Sequence, residues 1–220
     1  MTIRVKICCI TTQQEAELAR RYGAHAIGLV SWMPSGVGPI SDQEIRELAA
    51  ENSDLRRFLL TCKQDPDEIR TQVLAAGTDT VQLVDQMTTG DLERLRLELP
   101  GVSLVQVIHV KGPASIDEAK GLEPHVDEIL LDSGTPDGPT RKLGGTGNVH
   151  DWEVSAEIVR QVACPVYLAG GLGADNVAEA IKRVRPYGVD ICSRLRPQGH
   201  LDEDLLARFF SAVRQTSARH

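Results

Sequence analysis

Cys8 and Asp132 are the residues of this 220-residue chain whose type and setting point most directly to chemistry. Cys8 closes the short apolar run Ile3-Arg4-Val5-Lys6-Ile7-Cys8, just before Thr11-Thr12 and an amphipathic stretch. Asp132 closes a second run, Asp127-Glu128-Ile129-Leu130-Leu131-Asp132. A thiolate accepts a proton and a carboxylic acid donates one, so two such groups at the ends of strands, facing one substrate, can act as general base and general acid. A free thiol titrates near ~8.5, so the base form needs support from a nearby cation or helix terminus.

The surrounding pattern says how the pair would be held. Aliphatic runs bounded by Gly, Pro or Asp lie at 3–8, 25–30, 56–62, 79–84, 103–109, 126–131, 164–169 and 188–192, and read as buried parallel strands. Helical periodicity falls between and after them, near 12–22, 41–51, 66–76, 89–98, 115–121, 151–162, 174–184 and 202–216. Thr12-Gln13-Gln14-Glu15 and Ser41-Asp42-Gln43-Glu44 match the capping box that opens a helix. Leu205, Leu206, Phe209 and Val213 form one apolar face on the last helix. Eight such units without a linker predict a single (β/α)8 TIM barrel over residues 1–220. An open doubly wound sheet would need a glycine fingerprint after the first strand, where Cys9-Ile10-Thr11 stands instead.

The bulk composition excludes other classes. Lys and Arg total 24 against 31 Asp and Glu, a net charge of −7 with no basic run, which argues against a nucleic-acid partner. No apolar stretch approaches the ~18 residues of a membrane span, and the first residues lack a signal-peptide core, so a cytoplasmic protein is expected. The five cysteines are odd in number and form no CxxC pair, so reduced thiols are expected and a disulfide or metal site is not. Alternation places Arg4, Lys6 and Cys8 on one face of the first strand. Lys6 would then point into the barrel beneath Cys8 and pair with Asp190 on the closing strand, because an isolated buried ammonium is costly. Cys9 alternates to the opposite face, toward a helix. No function is assigned to Cys62, Cys164 or Cys192.

In a barrel the site forms at the C-terminal ends of the strands. Gly144-Gly145-Thr146-Gly147 follows strand six, Gly170-Gly171-Leu172 ends strand seven before a helix, and Ser193 follows strand eight. Bare amides and a helix start in that quarter form a phosphate site. The candidate phosphate ligands are Gly145, Thr146, Gly170, Gly171, Ser193 and Arg194. Asp85 and His109 fall at strand ends, as pocket or surface residues. Trp32 could stack on an aromatic substrate or plug the barrel.

Seven stretches occur in order: Val5-Lys6-Ile7-Cys8-x-Ile10-Thr11, Val81-Gln82-Leu83, Leu131-Asp132-Ser133, Gly144-Gly145-Thr146-Gly147, Asp151-Trp152, Leu168-Ala169-Gly170-Gly171-Leu172 with Asn176-Val177, and Gly188-Val189-Asp190. Together they resemble the phosphoribosylanthranilate isomerase family, (β/α)8 enzymes of the tryptophan pathway. The resemblance implies an Amadori rearrangement of a phosphoribosyl amine, metal-free and cofactor-free, with Cys8 as base and Asp132 as acid, by an intramolecular oxidoreductase of the aldose–ketose type. It implies a small phosphorylated sugar or aminosugar as substrate and a monomer or homodimer.

The departures cluster at the other end of that substrate. Cys9 stands for a family glycine, and Val84-Asp85 for a His-Gly. The arginine of a Ser-Pro-Arg motif that binds the anthranilate carboxylate aligns with Gly38. Ser193-Arg194-Leu195-Arg196 replaces Ser-Gly-Val-Glu. Losing a charge-assisted contact costs roughly 1.5–3 kcal/mol, and Arg194 or Arg196 could supply the missing cation. Trp32, Gly38, Val84, Asp85 and Arg196 are therefore the expected substrate pocket. Two alternatives stand: an isomerase or lyase acting on a different sugar phosphate, and a non-catalytic barrel that binds a phosphorylated metabolite.

Overall fold

A computed structural model describes residues 2–34, 38–134 and 151–217. Eight parallel strands close into one barrel in chain order: β1 (Arg4–Ile7), β2 (Ala26–Val30), β3 (Arg56–Thr61), β4 (Thr80–Leu83), β5 (Ser103–His109), β6 (Glu128–Asp132), β7 (Val166–Leu168) and β8 (Gly188–Ile191). β8 pairs back onto β1 with Lys6 opposite Asp190 and Ile7 opposite Ile191. The helices α1 (Gln13–Tyr22), α2 (Asp42–Glu51), α3 (Pro66–Ala76), α4 (Thr89–Glu98), α5 (Ala114–Leu122), α6 (Trp152–Gln161), α7 (Val177–Val184) and α8 (Glu203–Ser217) follow the strands in turn. Two short 3₁₀ turns, Glu123–His125 and Ser193–Leu195, were not anticipated.

Period-two alternation divides the strand residues between two apolar layers. Ile7, Ile27, Leu29, Leu59, Val81, Leu83, Leu104, Ile108, Ile129, Leu131, Leu168 and Val189 pack outward against the helices, where Ile45, Ile69, Leu92, Ile158 and Phe209 meet them. Ala26, Val30, Phe58, Leu60, Val84, Val105, Val107, Leu130 and Tyr167 fill the barrel interior. The Phe58 and Tyr167 rings pack edge to face across it, 5.9 Å apart. On α8, Leu206, Phe209, Phe210 and Val213 are buried and Leu205 is half-buried, so the expected face docks.

Local chemistry sets the helix starts. At α2 the capping box is complete: Ser41 Oγ accepts from the Glu44 amide, and Glu44 accepts from the Ser41 amide at 2.7 Å. At α1 only half of it forms. Thr12 Oγ1 accepts from the Glu15 amide, but the Glu15 carboxylate turns to the Thr11 amide and, across the barrel seam, to Arg196. Among the described residues no helix is long and apolar enough to cross a membrane.

Candidate active site

The mouth of the barrel rests on one buried cation. Lys6 is fully buried, and its Nζ lies 3.0 Å from Asp190 and donates to Gln82 Oε1 at 3.0 Å, as inward alternation on β1, β4 and β8 requires. The Phe58 ring lies 5.0 Å from the ammonium. Burial by itself pushes an ammonium toward its neutral form, but the Asp190 carboxylate, together with Cys8 when it is a thiolate, outweighs it and holds Lys6 charged. The expected Lys6–Asp190 pair is present.

Cys8 lies directly above Lys6, 4% exposed and free of any disulfide. Burial is the largest influence on it and pushes the thiol up to about 11. Lys6 pulls the other way and Asp190 adds to the rise. The supporting cation the sequence called for is thus in place, yet burial outweighs it and its own carboxylate partner opposes it. The space for this arrangement comes from Gly28 on β2, where a Cβ would lie 2.8 Å from Cys8 Sγ and 3.2 Å from Lys6 Cε. Gly28→Ala should cost about 1–3 kcal/mol of stability by overpacking and displace Cys8. Urea denaturation together with thiol alkylation rates would detect this, and unchanged values for both would show that Gly28 is not needed for room.

Asp132 ends β6 opposite His109, the last residue of β5. Its surroundings raise the carboxyl: burial dominates, while the Ser133 amide, 2.7 Å from Oδ1, and the His109 ring oppose it. His109 Nε2 lies 3.2 Å from the Val84 carbonyl, and burial holds the imidazole below its usual value, toward neutrality. Cys8 and Asp132 feel the same two charges, Lys6 and Asp190, from the layer beneath. One shared ion pair thus underlies a thiol and a carboxyl whose environments both favour the protonated form.

On the side of β7 and β8, Gly170 and Gly171 adopt left-handed φ angles of 79° and 63°, which glycine takes without steric cost. Asn176 closes the turn by donating to the Gly171 carbonyl at 3.0 Å and accepting from the Gly173 amide at 2.8 Å. Ser193 begins the 3₁₀ turn after β8. Arg194 spans the two loops, donating to the Gly171 carbonyl at 3.1 Å and to Asp175 at 2.8 Å. The expected ligands Gly145 and Thr146 lie outside the described residues.

The pocket expected near β2 and β4 is reshaped. Val84 and Asp85 are buried. Trp32 is 71% exposed, so it is no plug; its carbonyl accepts a hydrogen bond from the Cys62 thiol. Gly38 has φ 78°, and a Cβ there would meet Cys9 Cβ at 2.7 Å, so no arginine fits while Cys9 is present.

Two expectations are overturned. Arg196 is not a pocket cation. Its side chain is 1% exposed and grips Glu15 with both terminal nitrogens, at 2.7 and 3.0 Å, while also donating to the Cys8 carbonyl at 3.4 Å. Glu15 further accepts from the Leu201 amide at 2.8 Å, and these donors hold its carboxyl low against the opposing effect of burial. A charge buried this deeply is satisfied by its partner and not by ligand. Nor are all the thiols reduced: Cys9 and Cys192 form a disulfide across the β1–β8 seam. Cys9 has a left-handed φ of 63°, which breaks the alternation and carries its side chain away from the helices, toward the end of β8.

A closed eight-stranded parallel barrel with titratable groups at the C-terminal ends of its strands is the architecture of a (β/α)8 enzyme. The model of the family described as N-(5'-phosphoribosyl)anthranilate (PRA) isomerase matches residues 5–212, and the chain belongs to that isomerase family. It is 36% identical over 205 residues to N-(5'-phosphoribosyl)anthranilate isomerase 2 of Methanosarcina mazei, covering 92% of this chain and 90% of that one. It is 35% identical over 216 residues to the N-(5'-phosphoribosyl)anthranilate isomerase of Haloferax volcanii, covering 97% and 94%. The solved N-(5'-phosphoribosyl)anthranilate isomerase of Pyrococcus furiosus superposes with a TM-score of 0.80 at 28% identity, covering 97% of this chain and 99% of that one.

Proposed function

We propose that the protein isomerises N-(5'-phosphoribosyl)anthranilate by an Amadori rearrangement in tryptophan biosynthesis, with Asp132 as general acid and Cys8 as general base. The observation that carries this reading is the placement of Cys8 and Asp132 at strand ends above one Lys6–Asp190 pair, in a chain of this family. Protonated Asp132 gives its proton to the ribose ring oxygen as the C1–O bond breaks, leaving an open-chain Schiff base. Cys8, as thiolate, removes the proton from C2. The resulting enolamine tautomerises, C1 gaining a proton and the C2 hydroxyl losing one, to give the ketone. The phosphate rests on the amides of Gly170, Gly171 and Ser193, with Arg194 beside them.

This assignment has a pH signature. The acid must be protonated and the base ionised, yet Asp132 loses its proton at lower pH than Cys8, whose thiol sits at about 11. The active pair is then a minor protonation state whose share is constant between the two values. It falls below the Asp132 value, where both groups are protonated, and above the Cys8 value, where both are ionised. On the alkaline side kcat/KM should therefore decline only as pH approaches about 11. A decline centred near the ~8.5 of an ordinary thiol would mean that Cys8 is not the base held in this environment.

Growth rescue of a tryptophan auxotroph lacking this isomerase, together with direct turnover of N-(5'-phosphoribosyl)anthranilate, tests the function. Rescue by wild type that is lost with Cys8→Ala and with Asp132→Ala is the expected result, and no turnover by folded wild type would reject it. One observation favours a second reading. Gly38 cannot carry the carboxylate-binding arginine and Arg196 is held by Glu15, so the same acid and base could act on another phosphorylated sugar or aminosugar. Turnover of such a compound, with none of the anthranilate derivative, would select it.

A further inference from the structure

We propose that the Cys9–Cys192 disulfide is a redox-dependent clasp that positions the loop after β8 for phosphate, so that its oxidation state sets phosphate affinity without altering the acid and base. The inference rests on the phosphate reading above. Three features of the mouth support it. The bond joins residues 183 apart in sequence whose Cα atoms lie 6.1 Å apart, across the seam where β8 closes onto β1. Cys192 is followed at once by Ser193 and Arg194, and Arg194 carries the tether on to the Gly171 carbonyl and Asp175 in the loop after β7. Cys9 keeps a φ of 63°, unfavourable for a side-chain-bearing residue, while its Cβ abuts Gly38. The disulfide thereby links the loops after β1 and β8 and packs against the loop after β2.

The same seam holds a second tie that does not depend on redox state. Arg196 and Leu201 bind Glu15 at the start of α1, just beyond Cys192. Opening the disulfide would therefore loosen Cys192 and Ser193 while buried Leu195 and the chain beyond it stay anchored, which makes a local change in affinity the expected consequence and not unfolding. Cys192 is half-buried whereas Cys9 is 5% exposed, so a thiolate from solution reaches the Cys192 sulfur first. In opening, a small dithiol attacks Cys192, Cys9 leaves as thiolate, and the second thiol of the reductant displaces Cys192 as its own cyclic disulfide forms. In closing, a low-molecular-weight disulfide accepts the two electrons and leaves as two thiols.

The test uses the intact protein after equilibration with glutathione disulfide or with dithiothreitol. Alkylation in denaturant should add three groups to the oxidised form, on Cys8, Cys62 and Cys164, and five to the reduced form. Calorimetric titration with inorganic phosphate should give a Kd weaker by about three- to tenfold in the reduced form, the penalty of ordering one loop stretch on binding. KM should move with it while kcat stays constant. Cys192→Ser and Cys9→Gly should match the reduced wild type and lose all response to reductant. Five alkylated thiols after oxidation would overturn the proposal, as would a disulfide that forms but leaves the phosphate Kd the same in both states. If the disulfide forms and phosphate binds in neither state, the phosphate reading falls and the proposal with it, whereas turnover still reports separately on the acid and base.

Discussion

Asp132→Asn should lower kcat by about 10²–10⁴-fold, the usual contribution of a positioned general acid, with little change in KM. Asparagine keeps the shape of the side chain and can still accept from the Ser133 amide, which lies 2.7 Å from Oδ1, but has no acidic proton to give. The environment shows why the proton matters: burial raises the carboxyl, so the protonated acid is more available than at an exposed aspartate. Cys8→Ser should give a loss of the same order, because a hydroxyl in a pocket that already disfavours a thiolate cannot serve as the anion. The two groups act on one substrate in one sequence, so the double variant should fall well short of the product of the single losses. Steady-state kinetics on purified variants decides the matter, and kcat within tenfold of wild type for either single variant would remove that residue from the chemistry.

Lys6→Met should destabilise the fold by about 3–5 kcal/mol, the cost of breaking a buried ion pair from one side. The ammonium is fully buried, and without it Asp190 and Gln82 lose their donor at the centre of the barrel. The sign with pH follows from Asp190. Its carboxyl is raised by burial even with Lys6 present, and without Lys6 it would rise further. A group whose folded value lies above its unfolded value contributes stability below the unfolded value and loses it as pH rises through the folded one. The deficit of the variant should therefore be smallest in mild acid and grow as pH rises toward neutrality. Urea midpoints at several pH values, at constant slope, measure it. Adding Asp190→Leu should restore much of the loss by removing the stranded charge, and no recovery would show that the pair is not what matters. Lys6→Met should also raise the Cys8 thiol further, since the cation that lowers it is gone.

The parts legible in the sequence were those set by local periodicity and by the cost of burying charge. Alternation along β1 put Lys6 and Cys8 on the inner face, and an ammonium there demanded a carboxylate, which β8 offers at Asp190. Strand-end positions likewise put Asp132 and His109 at the ends of their strands, and the pairing of β5 with β6 sets them side by side. The misreadings lie beyond the strands. Glu15 fits a capping box with Thr12, but Arg196 and Leu201 of a distant loop take its oxygens. Arg196 read as a pocket cation because nothing in its neighbours shows where the loop after β8 turns. Cys9 read as facing a helix because the alternation rule was carried two residues past the end of β1, into a left-handed backbone.

Sequence alone thus determined the eight-unit barrel and put a thiol and a carboxyl at the ends of two of its strands, since both follow from patterns spanning only a few residues. Tertiary structure decided the rest: that Gly38 has no space for an arginine, that Arg196 is spent on Glu15, and that Cys9 meets Cys192. The last two gather where β8 closes onto β1, joining residues more than 180 apart in sequence, and the first lies against the same Cys9. Closure of the barrel brings them together, and no local pattern encodes which side chains will meet there.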